Sequence, residues 1–247
     1  MSLGTKKFVI TRFDPDRDTE PRTEEYEIPV QSDWKVLDAI NFIKDEIDGS
    51  LSYRWSCRMA VCGSCGMMVN GEPKLTCKTA LSSYGDSLTI EPLANFPTIR
   101  DLVVEMDGFM DKFQKVKPWI TQAKERAVEE GPQHQSPEDL QAFKQFSMCI
   151  NCMLCYSACP VVATDPEFLG PAAIALGHRY NMDSRDEGQD QRAEIIGSHE
   201  GIWGCTFVGE CTRVCPKHVD PAAAIQRSKV QLTKEYFLSW IWPRGKR

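Results

Sequence analysis

Cysteine is the residue type whose number and spacing point to chemistry. Eleven occur among the 247 residues, and they fall into three sets. Cys57, Cys62 and Cys65 lie within nine residues, with Cys77 following. Cys149, Cys152, Cys155 and Cys159 form one run closed by Pro160, and Cys205, Cys211 and Cys215 form another closed by Pro216. An odd count cannot be fully paired into disulfides within one chain. The N-terminal residues Met1 to Phe8 lack the apolar stretch of roughly 7–15 residues that marks a secretory signal. The expectation is a chain kept where thiols stay reduced, and reduced thiols at this density serve as metal ligands.

The spacing says which metal. Cys57-x4-Cys62-x2-Cys65 with a distant Cys77 is the ligand pattern of a plant-type [2Fe–2S] cluster, and Gly63 and Gly66 suit a loop that needs positive φ and backbone N–H groups near sulfur. Structural zinc is the alternative, but its cysteines come in two separated pairs. The second run, Cys149-x2-Cys152-x2-Cys155-x3-Cys159-Pro160, matches the bacterial ferredoxin run letter for letter. Laid over it, the third becomes Cys205-x2-Val208-x2-Cys211-x3-Cys215-Pro216, the same run with its second cysteine replaced by valine. The alternative for this set is a group of buried apolar cysteines, which the matched spacing argues against.

In two-cluster ferredoxins the fourth cysteine of each run ligates the other cluster. Cys149, Cys152, Cys155 and Cys215 then make a [4Fe–4S] site. Cys205, Cys211 and Cys159 make a second site with Val208 where a ligand should be, and three thiolates imply a [3Fe–4S] cluster of the highest potential of the three. His134, His178, His199 and His218 are assigned no ligand role. Three one-electron centres amount to a conductor, with the chemistry at either end belonging to other subunits.

Other chemistries find no support. No G-x-G-x-x-G or G-x-x-x-x-G-K-[ST] occurs, so no dinucleotide or triphosphate site is expected. With 29 basic against 35 acidic residues, nucleic acid is not an expected partner. The longest uncharged run, Gln145 to Thr164, has the length of a membrane span but holds Asn151, Pro160 and four cysteines, and reads as a site.

The elements that must position these cysteines follow from periodicity. Phe8–Phe13 and Tyr26–Val30 read as a hairpin. Val36, Leu37, Ile40, Ile43 and Ile47 fall at helical spacing, with Ser32 or Asp33 as N-cap and Gly49 beyond the far end. Met67–Val69 and Pro73–Cys77 flank an Asn70-Gly71 type I′ turn, and Ser87–Glu91 is a last strand. The expectation is a mixed sheet of about four or five strands packed on one helix. Beyond Pro97 helical signals take over: Ser136-Pro137-Glu138-Asp139 is a capped helix start, Pro171–Tyr180 and Pro221–Leu238 read as helices, and the polar stretch Ala123–Gln135 as an exposed excursion. The fold class is α+β, with a boundary near residues 97–105 that gives domains of residues 1–100 and 101–247.

The segments Leu51–Val69, Cys149–Pro160 and Cys211–Pro221 closely resemble the iron–sulfur subunits of the succinate dehydrogenase and fumarate reductase family, over nearly the whole chain and all eleven cysteines. The resemblance implies a β-grasp ferredoxin domain followed by an α-helical ferredoxin domain. It implies a partner flavoprotein subunit with covalent FAD that interconverts succinate and fumarate. One or two membrane-anchor subunits that bind quinone, and often haem b, are implied as well. The chain is then a peripheral membrane protein on the cytoplasmic face. Position-matched carry-over marks Thr206, Phe207, Gln226 and Lys229 as the quinone-facing rim, although Lys229 also reads as an ordinary solvated helix lysine.

Ubiquinone-reducing members of the family have a tryptophan pair after the Cys-Pro of the second run and a histidine after the first cysteine of the third. This chain has Ala163-Thr164 and Thr206 there, and looks like the menaquinone-linked, fumarate-reductase-type members. Phe237, Leu238, Trp240, Ile241 and Trp242, followed by Pro243-Arg-Gly-Lys-Arg, read as a surface that meets the anchor subunit or lipid headgroups, against the alternative of a terminal helix docked on its own core. Electron carriers of the heterodisulfide-reductase or glycerol-phosphate-dehydrogenase kind also use paired ferredoxin runs, but generally add Cys-Cys-Gly motifs, and none occurs here.

Overall fold

The structure, a computed structural model, describes residues 2–124 and 127–241. Two compact units emerge, Met1–Gly108 with Ile150–Ala158, and Phe109–Cys149 with Cys159–Arg247.

The first unit is built on β1 (Ser2–Arg12), β2 (Arg22–Gln31), α1 (Val36–Phe42), β3 (Gly66–Val69), β4 (Glu72–Leu75) and β5 (Ser87–Glu91). The five strands form one sheet in the order β2-β1-β5-β3-β4. β1 runs antiparallel to β2, with Phe8 opposite Tyr26, and parallel to β5, with Phe8 opposite Leu88. Alternation along β1 turns Lys6, Phe8, Ile10 and Arg12 inward. Phe8, Ile10, Ile28, Ile40, Leu88 and Ile90 have no solvent exposure and join the core that α1 covers. Asn70 and Gly71 both have positive φ (50° and 77°), as a type I′ turn between β3 and β4 requires.

Two expectations need correction. The helix begins after Lys35, not at Ser32 or Asp33: the Lys35 N–H donates to the Asp38 carboxylate at 2.8 Å, and the first helical N–H groups, of Val36 and Leu37, donate to the carbonyls of Thr79 (3.0 Å) and Thr76 (3.2 Å). Directly after α1, Ile43–Ile47 adopt a π-helical turn. Strand structure also continues past Pro97, where β6 (Thr98–Arg100) and β7 (Val103–Val104) make a small ribbon that turns on Asp101 at φ 45°.

The inward charges on β1 are satisfied. Lys6 Nζ donates to the carbonyls of Tyr84 (2.7 Å) and Gly85 (2.5 Å). Arg12 is only 4% exposed and bonds Asp101 through Nε (3.0 Å), Glu24 and Tyr26 through one terminal nitrogen (2.7 Å each), and Asp48 and Ser50 as well. Burial opposes ionisation of Asp48, but hydrogen bonds from Ser50, Tyr26 and Arg12 hold its carboxyl well below the usual range. Asp101 also accepts the N–H groups of Phe13 (3.0 Å) and Ser52 (2.8 Å). The network therefore fixes the chain that leads into the Cys57 loop.

Beyond the ribbon the chain is helical: α2 (Asp107–Lys115), α3 (Pro137–Phe143), α4 (Leu154–Ser157), α5 (Pro160–Thr164), α6 (Pro171–Asn181), α7 (Gln189–Ile196), α8 (Glu210–Arg213) and α9 (Pro221–Ile241). The capping box expected at Ser136 is present, with the Asp139 N–H donating to Ser136 Oγ at 3.1 Å and the Ser136 N–H to the Asp139 carboxylate at 3.4 Å. In the second unit α6 packs on α7 and α9. Arg192 has no solvent exposure; its guanidinium bonds both Asp186 oxygens (2.6 Å each) and the carbonyls of Lys117 (3.1 Å) and Trp119 (2.8 Å), tying the stretch that follows α2 to α7. Among the described residues no helix is long and apolar enough to cross a membrane. Trp242 to Arg247 lie outside the described residues.

Candidate iron–sulfur centres

The four cysteines of the first set converge within the first unit. The loop turns through positive φ at Arg58 (56°), Ala60 (55°) and Gly63 (76°). This winds three backbone N–H groups onto Cys57 Sγ, from Met59 (3.4 Å), Val61 (3.3 Å) and Cys62 (3.3 Å). These N–H groups, Met59 foremost, lower the Cys57 thiol to about 6 and favour its thiolate. Cys77 is the opposite case. Burial, followed by the neighbouring Cys65 thiol, pushes it up to about 11, and its surroundings include Cys57 and the Ala60 N–H. Thr76 holds this pair together, since its N–H (3.1 Å) and Oγ1 (3.0 Å) both donate to the Cys65 carbonyl. Because the Thr76 carbonyl accepts from the start of α1, the helix positions Cys77 directly.

The role expected of the glycines is met in part. Gly63 supplies positive φ, but the N–H donors to sulfur come from Met59, Val61 and Cys62, and Gly66 is not among the positive-φ glycines.

The second and third runs share one backbone plan. Asn151 (φ 54°) corresponds to Phe207 (φ 59°), and Met153 (φ 64°) to Gly209 (φ 84°), the left-handed residue that precedes α4 in one run and α8 in the other. Cys152 and Val208 occupy the same place in this plan. Cys149 and Cys215 both pack against the second unit's apolar cluster of Phe146, Ala175, Val219 and Ala224, and Cys215 Sγ accepts the Val219 N–H at 3.4 Å. Cys152 and Cys155 belong to the first unit, Cys155 lying buried on α4.

Cys159, Cys205 and Cys211 converge in the second unit. They line one apolar concavity of about 360 Å³, counted to its open mouth, together with Thr206, Phe207 and Val208. Cys159 is the residue before α5, and burial raises its thiol against the pull of the Val162 and Val161 N–H groups. Burial, then the charges of Cys159 and Cys205, pushes Cys211 up to about 12. Cys205 Sγ accepts the Phe207 N–H at 3.4 Å. Val208 is more than half exposed on the rim, where it offers no donor atom.

Among the described residues no three Cys, His, Asp or Glu side chains gather at the spacing that holds a single metal ion. The thiols of the first set, and those of Cys159, Cys205 and Cys211, are near enough to influence one another, as donors placed around a polynuclear core would be, and the all-sulfur donor set fits that chemistry. Of the four histidines, His178 is buried and faces Ser228 Oγ through Nδ1 at 3.2 Å, and the His218 carbonyl accepts from Gln145 Nε2 at 3.0 Å.

Thr206 and Phe207 lie at the concavity, with Phe207 exposed. Lys229 and Gln226 come from α9. Lys229 Nζ donates to the Cys205 carbonyl at 2.9 Å and sits 5.9 Å from the Trp203 ring centre, so it is a held side chain and not a freely solvated one. Gln226 buries its Nε2 with no hydrogen-bond partner. Of the terminal aromatic group, Phe237 and Leu238 are exposed on α9.

Comparison with known proteins shows the family. Residues 7–111 match the family model of a 2Fe-2S iron-sulfur cluster binding domain, and residues 145–219 that of a 4Fe-4S dicluster domain. The chain is 53% identical to the fumarate reductase iron-sulfur subunit of Mycobacterium tuberculosis over 237 residues, covering 96% of each. It is 49% identical to that of Haemophilus influenzae over 246 residues, again 96% of each, and 33% identical to the succinate dehydrogenase iron-sulfur subunit of Coxiella burnetii over 231 residues, 92% of this chain and 97% of that one. A chain of the Mycobacterium smegmatis Sdh1 complex in the apo form superposes with a TM-score of 0.87 at 29% identity, covering 95% of this chain and 98% of its own. The chain therefore belongs to the iron–sulfur subunits of the fumarate reductase and succinate dehydrogenase family, with a sheet-bearing 2Fe-2S ferredoxin domain followed by a helical 4Fe-4S ferredoxin region.

Proposed function

We propose that this chain conducts single electrons between the FAD of a flavoprotein subunit and a quinone at the membrane-anchor subunits. Cys57, Cys62, Cys65 and Cys77 hold a [2Fe–2S] centre, Cys149, Cys152, Cys155 and Cys215 a [4Fe–4S] centre, and Cys159, Cys205 and Cys211 a [3Fe–4S] centre. Such clusters exchange one electron at a time, which divides the pair carried by FAD into single steps. The protein contributes the thiolates and their environment. Three N–H groups favour ionised Cys57, while the third set sits in an apolar concavity where Val208 withholds a fourth thiolate.

Thr206, Phe207, Gln226 and Lys229 form the quinone-facing rim. Lys229, held by the Cys205 carbonyl, retains two N–H bonds with which to meet a quinone oxygen. Thr206 and the Ala163-Thr164 pair favour menaquinone. The exposed Phe237 and Leu238 support docking on one or two anchor subunits, with haem b in the anchor and the complex on the cytoplasmic face of the membrane.

The observation that carries this reading is the shared backbone plan of the second and third runs, with Val208 in the place of Cys152. Because the loop already has the required shape, Val208→Cys is expected to convert the [3Fe–4S] centre to a [4Fe–4S] centre. In oxidised wild-type protein the EPR signal of a [3Fe–4S] centre should be present; in the variant it should vanish and the centre's potential should fall. A wild-type protein without that signal would sink the ligand assignment.

A further inference from the structure

The chain presses two glycines of the first ligand loop against a ligand residue of the second set. Gly63 follows Cys62 directly, and Gly66 follows Cys65. Within the first unit, a Cβ placed on Gly63 would lie 2.5 Å from the Ile150 carbonyl oxygen, 3.0 Å from Cys152 Cα and 3.1 Å from Cys152 Cβ. On Gly66 it would lie 3.1 Å from the Cys152 carbonyl oxygen and 3.2 Å from both Leu154 Cδ2 and Leu93 Cδ1. At Gly63 backbone therefore rests on backbone and a methyl group would force the two loops apart, whereas at Gly66 a methyl would displace its neighbours by a few tenths of an ångström.

We propose that Gly63 and Gly66 are positioning residues for electron transfer between the first and second centres: their missing side chains seat Cys62 and Cys65 against Cys152 and keep the intervening matter to one backbone contact. The proposal rests on the conducting role stated above. In each event one electron leaves the centre on the first ligand set, which is oxidised, and enters the centre on the second, which is reduced. No bond breaks and no proton is required, so the rate depends on the coupling between the loops, which falls steeply with separation.

A simpler explanation would retain Gly63 only for its backbone, since its φ of +76° disfavours any side chain. Two other glycines separate these effects. Gly71, at φ +77°, carries the same backbone demand with nothing within 4 Å of its Cβ position, and Gly66 carries the close contact without positive φ.

The test uses the intact complex with Gly66→Ala, Gly63→Ala and Gly71→Ala. Iron and labile sulfide report loading, EPR titration reports each potential, and power saturation of the reduced [2Fe–2S] signal reports the relaxation enhancement caused by the reduced [4Fe–4S] centre. Flash reduction gives the transfer rate. Gly66→Ala is expected to load fully and keep its potentials, while its relaxation enhancement weakens and transfer slows several-fold. Gly63→Ala is expected to lose more, and Gly71→Ala to lower the unfolding midpoint with coupling unchanged.

Loaded Gly66→Ala with wild-type coupling overturns the proposal. So does loss of iron from Gly66→Ala, which would make the glycine a folding requirement, or an equal loss of coupling in Gly71→Ala. Absence of the two reduced-state signals from the wild type would instead overturn the conducting role itself.

Discussion

Val208 and Cys152 occupy the same place in loops that do not differ in plan, so the correspondence of the two runs was legible from spacing alone. The glycine contacts were not, because nothing local to Gly66 reveals a carbonyl from Cys152 beside it. His178 is a second residue whose state only the fold reveals. It is 1% exposed, and burial, helped by the positive charge of Arg227, lowers its pKa to about 4. The folded chain therefore holds it neutral, whereas the unfolded chain protonates it near 6.5. Between these values the unfolded state binds more protons, so this contribution is complete above about pH 6.5 and is lost as pH falls towards 4, by up to about 3 kcal/mol. His178→Gln, which can still face Ser228 but carries no charge, is expected to flatten that window. Urea unfolding of both proteins across the pH range reads the difference; parallel curves would contradict it.

At the scale of elements, the main strands and α1 announce themselves through period and the helix at Ser136 through its capping box, because these determinants are neighbours in sequence. The Arg12 network could not be read that way: Asp48 and Asp101 reach it across 36 and 89 residues. The β6–β7 ribbon escaped notice for a related reason, since its strands are too short to show alternation and its turn depends on Asp101, itself held by Arg12. Arg12→Met is expected to leave three carboxylates around an uncompensated site and to destabilise the first unit by about 3–5 kcal/mol. Chemical denaturation followed by the [2Fe–2S] absorbance measures this. A loss below about 1 kcal/mol would show the network to be no stronger than a surface ion pair.

At the scale of the whole molecule, the ligand assignment uses every cysteine. Purified protein should then contain about nine irons and ten labile sulfides. Removing the iron under reducing conditions should release eleven titratable thiols, the full cysteine count. Zinc without sulfide, or a thiol count short by a pair, would contradict the assignment. Loading also shifts the formal charge from −6 to about −12, so loaded and stripped protein should separate by electrophoresis. The order of sheet before helices was legible because each half carries its own period. The inclusion of Ile150–Ala158 in the first unit was not, since that segment looks like any other part of the second run. This has a consequence for synthesis on the ribosome. The sheet is complete long before its last packing segment is made, and a nascent chain released only as far as Gly108 would leave Gly63 and Gly66 facing water. The N-terminal unit must therefore wait, part-finished, until residue 158 has emerged.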